Sequence, residues 1–198
     1  MITIDEIRVG DSPDAWRAAG FTVDGDICVI DAVRIRLRGS GTGITDWTLR
    51  GIPDDVADID GVPTASSSAA SGHAAIHTNG VTRIDHVVLM TPDLRRTTAA
   101  LNERGLHIRR ERDAGKFRQA FLKLGDVILE VVGPQEPGPG ASHLWGLTFC
   151  VDDIDETAAF LGDRIGRVKD AVQPGRRITT LRGEPIGISP AVAFMSER

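Results

Sequence analysis

Sixty residues apart, this chain writes the same segment twice. The stretch "RIDHVVLMTPDLRRTTAAL" begins at Arg83, and "LWGLTFCVDDIDETAAFL" follows it in the same register. Asp93 falls on Asp153, Thr97 on Thr157, Ala99 on Ala159 and Leu101 on Leu161. A duplicated segment constrains the fold more than any single motif, because both copies must adopt one local structure. The copies differ at one chemically important place. His86 of the first falls on Gly146 of the second.

Each copy carries the same order of signals. In the first, Ile84, His86, Val88 and Met90 alternate with Asp85, Val87 and Leu89, the period of a strand. Thr91 is placed to cap a helix with Pro92 at its first position. Leu94, Thr98 and Leu101 form its buried stripe, and Gly105 ends it. Strands follow in "LHIRRER", "FRQAFLKLG" and "DVILEVVG", the last two joined by a Gly-Asp turn. In the second copy Leu147 to Val151 make the strand. Asp153 and Glu156 read as a capping box for a helix with Ile154, Ala158 and Leu161 inward, and "GRVKDAV", "RRITTLR" and "PAVAFMS" supply strands. The unit reads strand, helix, three strands.

A third, weaker example opens the chain. "ITIDEIRVG" reads as a strand, "SPDAWRAAG" as a short helix with Ser12, Pro13 and Gly20 at cap positions, and "TVDGDICVI", "VRIRLRG" and "GITDWTLRG" as further strands. The glycines of "RGSGTG" lack the strand-to-helix setting of a phosphate loop and read as a hairpin turn. Small and polar residues from Pro53 to Val81 show no period and predict a linker. The expected organisation is an α+β chain with a βαβββ-like module at 1–52, a linker at 53–81 and a domain at 82–198. That domain pairs two βαβββ modules, 82–134 and 141–198, separated by "GPQEPGPGASH".

With 198 residues the chain can bury a substantial core, and a net charge of −5 argues against a nucleic-acid partner. No apolar run approaches the roughly 20 residues of a membrane span, and "MITIDEIRVGD" has no signal-peptide pattern. Cys28 and Cys150 sit in apolar runs far apart, as buried free thiols in a reducing compartment would. These features predict a cytoplasmic protein.

"DHVVLMTPDL" with its helix, "ILEVVG" and "LTFCVDDID" together resemble the vicinal oxygen chelate superfamily, over about Thr82 to Arg198. The superfamily includes glyoxalases, extradiol dioxygenases, methylmalonyl-CoA epimerases and bleomycin-resistance proteins. The variant resembled most is a glyoxalase-like group of actinobacteria. The resemblance implies paired βαβββ units whose curved sheets enclose a cup, with a metal held by the first and last strand of each unit. It puts His86 and Glu130 at the ligand positions of the first unit, and Gly146 and Ala193 at those of the second. Glycine and alanine offer no side-chain donor, and two protein ligands hold a divalent ion weakly. No cofactor is therefore expected, and a metal, if bound, would use His86 and Glu130. His143 lies three residues before Gly146, about 10 Å along the strand and on its other face. His73 and His77 belong to the linker and could fold over the cup mouth.

His86 and Glu130 are the candidate catalytic pair. They are neighbours in the resembled fold, where a carboxylate and an imidazole can exchange protons. The bland reading of His86 is a satisfied strand histidine, against which stands the cost of burying Glu130 within "VILEVV". Met90, Trp145, Phe149 and Phe194 are candidate linings of an apolar cup, and equally ordinary core. Arg176 and Arg177, in the turn "QPGRR", are candidate anion clamps or a solvated pair. Two functional readings stay open beside a metal-dependent lyase or dioxygenase with a non-standard site. One is a metal-independent isomerase or lyase acting on a small, partly apolar molecule. The other is a ligand-sequestering binder resembling bleomycin-resistance proteins. An uncovered first module would expose an apolar face and a strand edge, so it must pack on its own chain or on a second copy, and a homodimer is expected.

Overall fold

The computed structural model describes residues 1–70 and 72–197. The chain opens with β1 (Thr3–Val9), α1 (Pro13–Ala18), β2 (Ile27–Ile30) and β3 (Val33–Leu37). β4 (Ile44–Arg50), β5 (Asp58–Ile59) and β6 (Val62–Ser66) follow. These strands form one sheet in the order β2-β3-β1-β4-β6-β5. Ser12 caps α1 through its side chain, with Pro13 in the first turn, as its sequence predicts.

The second half runs β7 (Val81–Met90), α2 (Leu94–Glu103), β8 (Arg110–Asp113), β9 (Phe117–Leu124), β10 (Val127–Pro134), β11 (His143–Val151), α3 (Ile154–Leu161), β12 (Lys169–Asp170), β13 (Arg177–Thr180) and β14 (Ala191–Ser196). Its sheet is ordered β12-β13-β14-β11-β7-β10-β9-β8. Both βαβββ modules expected from the repeat are present. The cap of α2 is Asp93, whose side chain accepts from the Arg96 backbone, because the Thr91 hydroxyl is engaged by the Asp93 N–H.

The register of β7 on β11 places a pseudo-two-fold axis through the cup. His86 pairs Thr148, Val88 pairs Gly146 and Val87 pairs Leu147. A shift of 60 exchanges the first two pairs and maps Val87 onto its own partner, since 87 + 60 = 147. The outer strands agree: β10 runs parallel to β7 with Ile128 opposite His86, and β14 runs parallel to β11 with Ala191 opposite Gly146.

The first half departs from its expected organisation. β4 does not close the first module, because it lies antiparallel beside β1 with Glu6 opposite Thr48 and Ile7 opposite Trp47. β6 then runs parallel to β4, with Trp47 opposite Thr64. That is the pairing of β7, β11 and β14. The segment 53–81, read as a linker, contains β5 and β6. The first half is thus a compressed pair of modules, the second without its helix. "RGSGTG" is correspondingly no hairpin, because β3 and β4 lie on opposite sides of β1.

Alternation along each strand gives each sheet one apolar and one polar face. The apolar faces of both sheets enter a single core that includes Ile7, Ile35, Trp47, Val87, Leu129 and Leu147. Phe21 stands 5.3 Å from Phe149 and 6.3 Å from Phe194 between ring centroids, so α1 and the residues after it cover the second half. Asp11 accepts the Ser189 backbone N–H at 3.2 Å, and Asp60 accepts from Arg96 at 2.6 Å, tying the halves at two further places. The apolar face that motivated a dimer is covered within the chain.

Candidate functional site

The polar face of the second sheet carries the site, and a bulge builds its centre. On β11, Thr148 faces His86 and the next residue, Phe149, faces Ile84, so Asp85 is an extra residue in β7. The bulge breaks the alternation and lets Asp85 meet its own neighbour. His86 Nδ1 lies 2.9 Å from Asp85 Oδ2. Because Asp85 is a carboxylate, Nδ1 must be the donor, which leaves Nε2 directed at Glu130 Oε2, 3.6 Å away.

Asp85 is itself fixed. Arg176 Nη1 donates to Asp85 Oδ1 at 2.7 Å, and both side chains are about 5% exposed or less. Burial disfavours the charge on Asp85, yet hydrogen bonds from His86 and Arg176 hold it well below the usual carboxylate range. Cys150 Sγ lies 3.4 Å from Asp85 Oδ1 and 2.9 Å from Arg176 Nη2. Burial, with the Asp85 charge beside it, pushes this thiol up to about 12, so it stays protonated and is no nucleophile.

Glu130 reaches the same face from β10, two residues beyond the partner of His86. Gln119 Nε2 donates to Glu130 Oε1 at 2.6 Å, while Gln119 Oε1 is buried with no hydrogen-bond partner among the described residues. Burial raises the Glu130 carboxyl above its ordinary value, outweighing His86, the Gln119 hydrogen bond and the Arg112 charge. His86 and Glu130 open into a cavity of about 460 Å³. It is lined by Phe121, Leu122 and Ile128 on the sheet, by Val172, Gln173 and Pro174 from the turn between β12 and β13, and by Arg109, Arg110, Arg112 and Lys123.

The structure brings together the candidate pair His86 and Glu130, keeps Met90 on their face and places the other candidates elsewhere. Met90 shares their face: in β7 it lies two residues past Val88, and Val88 is paired with Glu130 itself. Phe149 and Phe194 are fully buried in the core on the opposite face and line no cup. Trp145 is half-exposed and borders a different groove, near the Gly39–Gly41 loop. Arg176 pairs with Asp85 and Arg177 with Asp155 at 2.8 Å on the surface, and neither lines this cavity. His77 is buried, accepting from the Thr22 N–H at 3.0 Å and lying 3.1 Å from the Val29 carbonyl oxygen, and is not among the residues that line the cavity. Cys28 and Cys150 are free and buried.

A metal centre of the resembled kind does not fit these residues. By register, Gly146 and Ala193 are the counterparts of His86 and Glu130. A Cβ at Gly146 would lie 2.6 Å from the Ala191 carbonyl oxygen, so the backbones leave no room for a ligand side chain there. Among the described residues no group of three or more His, Cys, Asp or Glu side chains is placed to hold a metal ion.

The first half repeats the plan with different contents. Asp5 is the extra residue of a bulge on β1, as Asp85 is on β7, and Glu6 pairs Thr48 as His86 pairs Thr148. Here the cup is filled by charge. Glu6 accepts from Arg36 Nη2 at 3.0 Å and from Arg8 Nε at 2.8 Å, and Asp5 is held by Arg34 and Arg50. Glu6 is engaged by these ion pairs.

No family model and no curated protein matches this chain. Solved structures do. A mutant of 4-hydroxymandelate synthase from Streptomyces coelicolor superposes with a TM-score of 0.68 at 13% identity, over 99% of this chain and 92% of that one. BphC, a halotolerant catechol dioxygenase, gives 0.63 at 12% over 98% and 86%. A xylose isomerase-like TIM barrel/4-hydroxyphenylpyruvate dioxygenase fusion protein gives 0.66 at 11% over 98% and 49%. The chain shares the fold of these proteins, and the likenesses extend over both of its halves.

Proposed function

We propose that the second-half cup binds a small, partly apolar molecule and moves a proton on it, as a metal-independent isomerase or lyase. The observation that carries this reading is the His86–Glu130 pair, 3.6 Å apart at the wall of an apolar-sided cavity. Two proton-carrying groups on one face suit removal of a proton from one atom of a ligand and its return to a neighbour. Asp85 fixes the Nδ1 proton of His86 and leaves Nε2 to act as base or acid. Glu130, lifted by burial, holds its proton more readily than an exposed glutamate and suits the complementary role.

A ligand-sequestering binder uses the same cavity without the chemistry. Screening small carbonyl compounds for turnover, with binding measured in parallel, separates the two. The proposal expects His86→Ala to abolish turnover of a compound it still binds. Binding without turnover by the wild-type chain across the screen would favour sequestration.

A further inference from the structure

Four cations and one carboxylate line the cup, in a chain whose net charge is −5. The cations are Arg109, Arg110, Arg112 and Lys123, and among the described residues none of them makes a salt bridge, whereas Arg118, on the opposite face of the same strands, pairs with Glu111 at 2.9 Å. The register explains how they converge. Arg110 on β8 faces Phe121 on β9, and Phe121 faces Glu130 on β10. Arg112 faces Gln119, whose side chain holds Glu130, and Lys123 faces Ile128, which faces His86. Directly paired residues share a face, so Arg110, Arg112, Lys123, Phe121, Ile128 and the His86–Glu130 pair form one surface. Like charges gathered on apolar walls repel one another and concentrate a field that only an anion relieves.

We infer that the ligand of this cup carries an oxyanion, a carboxylate or a phosphate, bound by Arg110, Arg112 and Lys123 and joined through a short apolar stretch to the part that meets His86 and Glu130. The inference rests on the cup being the ligand site and adds the class of ligand. Two strand spacings separate Arg110 from Glu130, which puts the anion about 10 Å from the reacting atoms. Phe121 and Ile128 lie between and receive the apolar stretch.

Titration of the purified chain with 3-phenylpropionate, 2-phenylethyl phosphate and the neutral 3-phenylpropanamide tests this. At least one anion should bind about tenfold more tightly than the amide, and the preference should shrink as salt is raised. Whichever anion binds better names the carboxylate or the phosphate. Arg110→Gln with Arg112→Gln should bring anion and amide level, and Lys123→Gln should move them part of the way. Binding of both anions no tighter than that of the amide by the wild-type chain, an anion preference kept in the double arginine variant, or no binding of either anion would overturn the inference. His86→Ala should keep the anion preference, so loss of turnover with the preference intact speaks to proton transfer, and loss of preference with turnover intact speaks to anion recognition.

Discussion

Asp5 and Asp85 hold the same position in the two halves of the chain. Each is the extra residue of a β-bulge, each stands one residue before the centre of its cup, and each is buried against arginine. What differs is the next residue: Glu6 is locked between Arg8 and Arg36, whereas His86 faces an open cavity. One cup is closed by its own charges, and the other is left available.

Asp85→Asn should cost both stability and activity. It leaves Arg176 buried without its carboxylate, a loss of about 3–5 kcal/mol for a broken buried pair. It also frees the His86 ring to rotate, and the turnover that depends on general acid–base help should fall by about 10²-fold or more. Chemical denaturation and turnover on a bound compound, measured on the same preparation, check both.

Asp5→Asn should be as destabilising, about 3–5 kcal/mol, because Arg34 and Arg50 lose their buried partner. Turnover in the second-half cup should not change at temperatures where the variant remains folded. Equal losses of activity in Asp5→Asn and Asp85→Asn would show that the halves do not divide the work as described.

The Glu130 carboxyl is raised in the folded chain by burial, so its protonated form is the one the fold favours. Its contribution to stability is therefore fully present below the ordinary glutamate value, about 4.3, and is lost as pH rises through the higher folded value. Glu130→Gln should remove that loss. The stability difference between the variant and the wild type should grow in the variant's favour from about pH 4 towards neutrality, as urea denaturation at a series of pH values would read.

Gly146 marks where a second-unit ligand would have to be rebuilt. A side chain there meets the Ala191 carbonyl, so Gly146→Ala should destabilise by about 1–3 kcal/mol through overpacking. Gly146→His should destabilise further and gain no tight metal, as elemental analysis after dialysis would show.

The repeat made the second half legible from sequence, because strand alternation and the Asp153 cap recur at a fixed spacing of 60. It also carried Glu130 correctly onto Ala193, since β10 and β14 keep the same offset from their partners despite the longer second unit. The second module of the first half was hidden, because "GIPDDVADIDGVPT" has no helical period and its strands are two and five residues long. Asp85 was missed for a different reason. A bulge breaks the period-two rule that assigns faces, and strict alternation sends Asp85 away from His86. The triplets "IDE" at Ile4 and "IDH" at Ile84 were the available signal. The place of Arg110 and Arg112 over the cup depends on cross-strand register, which alternation within "LHIRRER" does not give.

The central claim is that His86 and Glu130 transfer protons on a ligand held in this cup. Deuterium uptake from heavy water into a bound carbonyl compound, followed by proton NMR, measures that step without reference to the net reaction. The account predicts catalysed exchange by the wild-type chain, reduced by about 10²-fold or more in both His86→Ala and Glu130→Gln. Exchange at the wild-type rate in both variants, with the compound still bound, would contradict it.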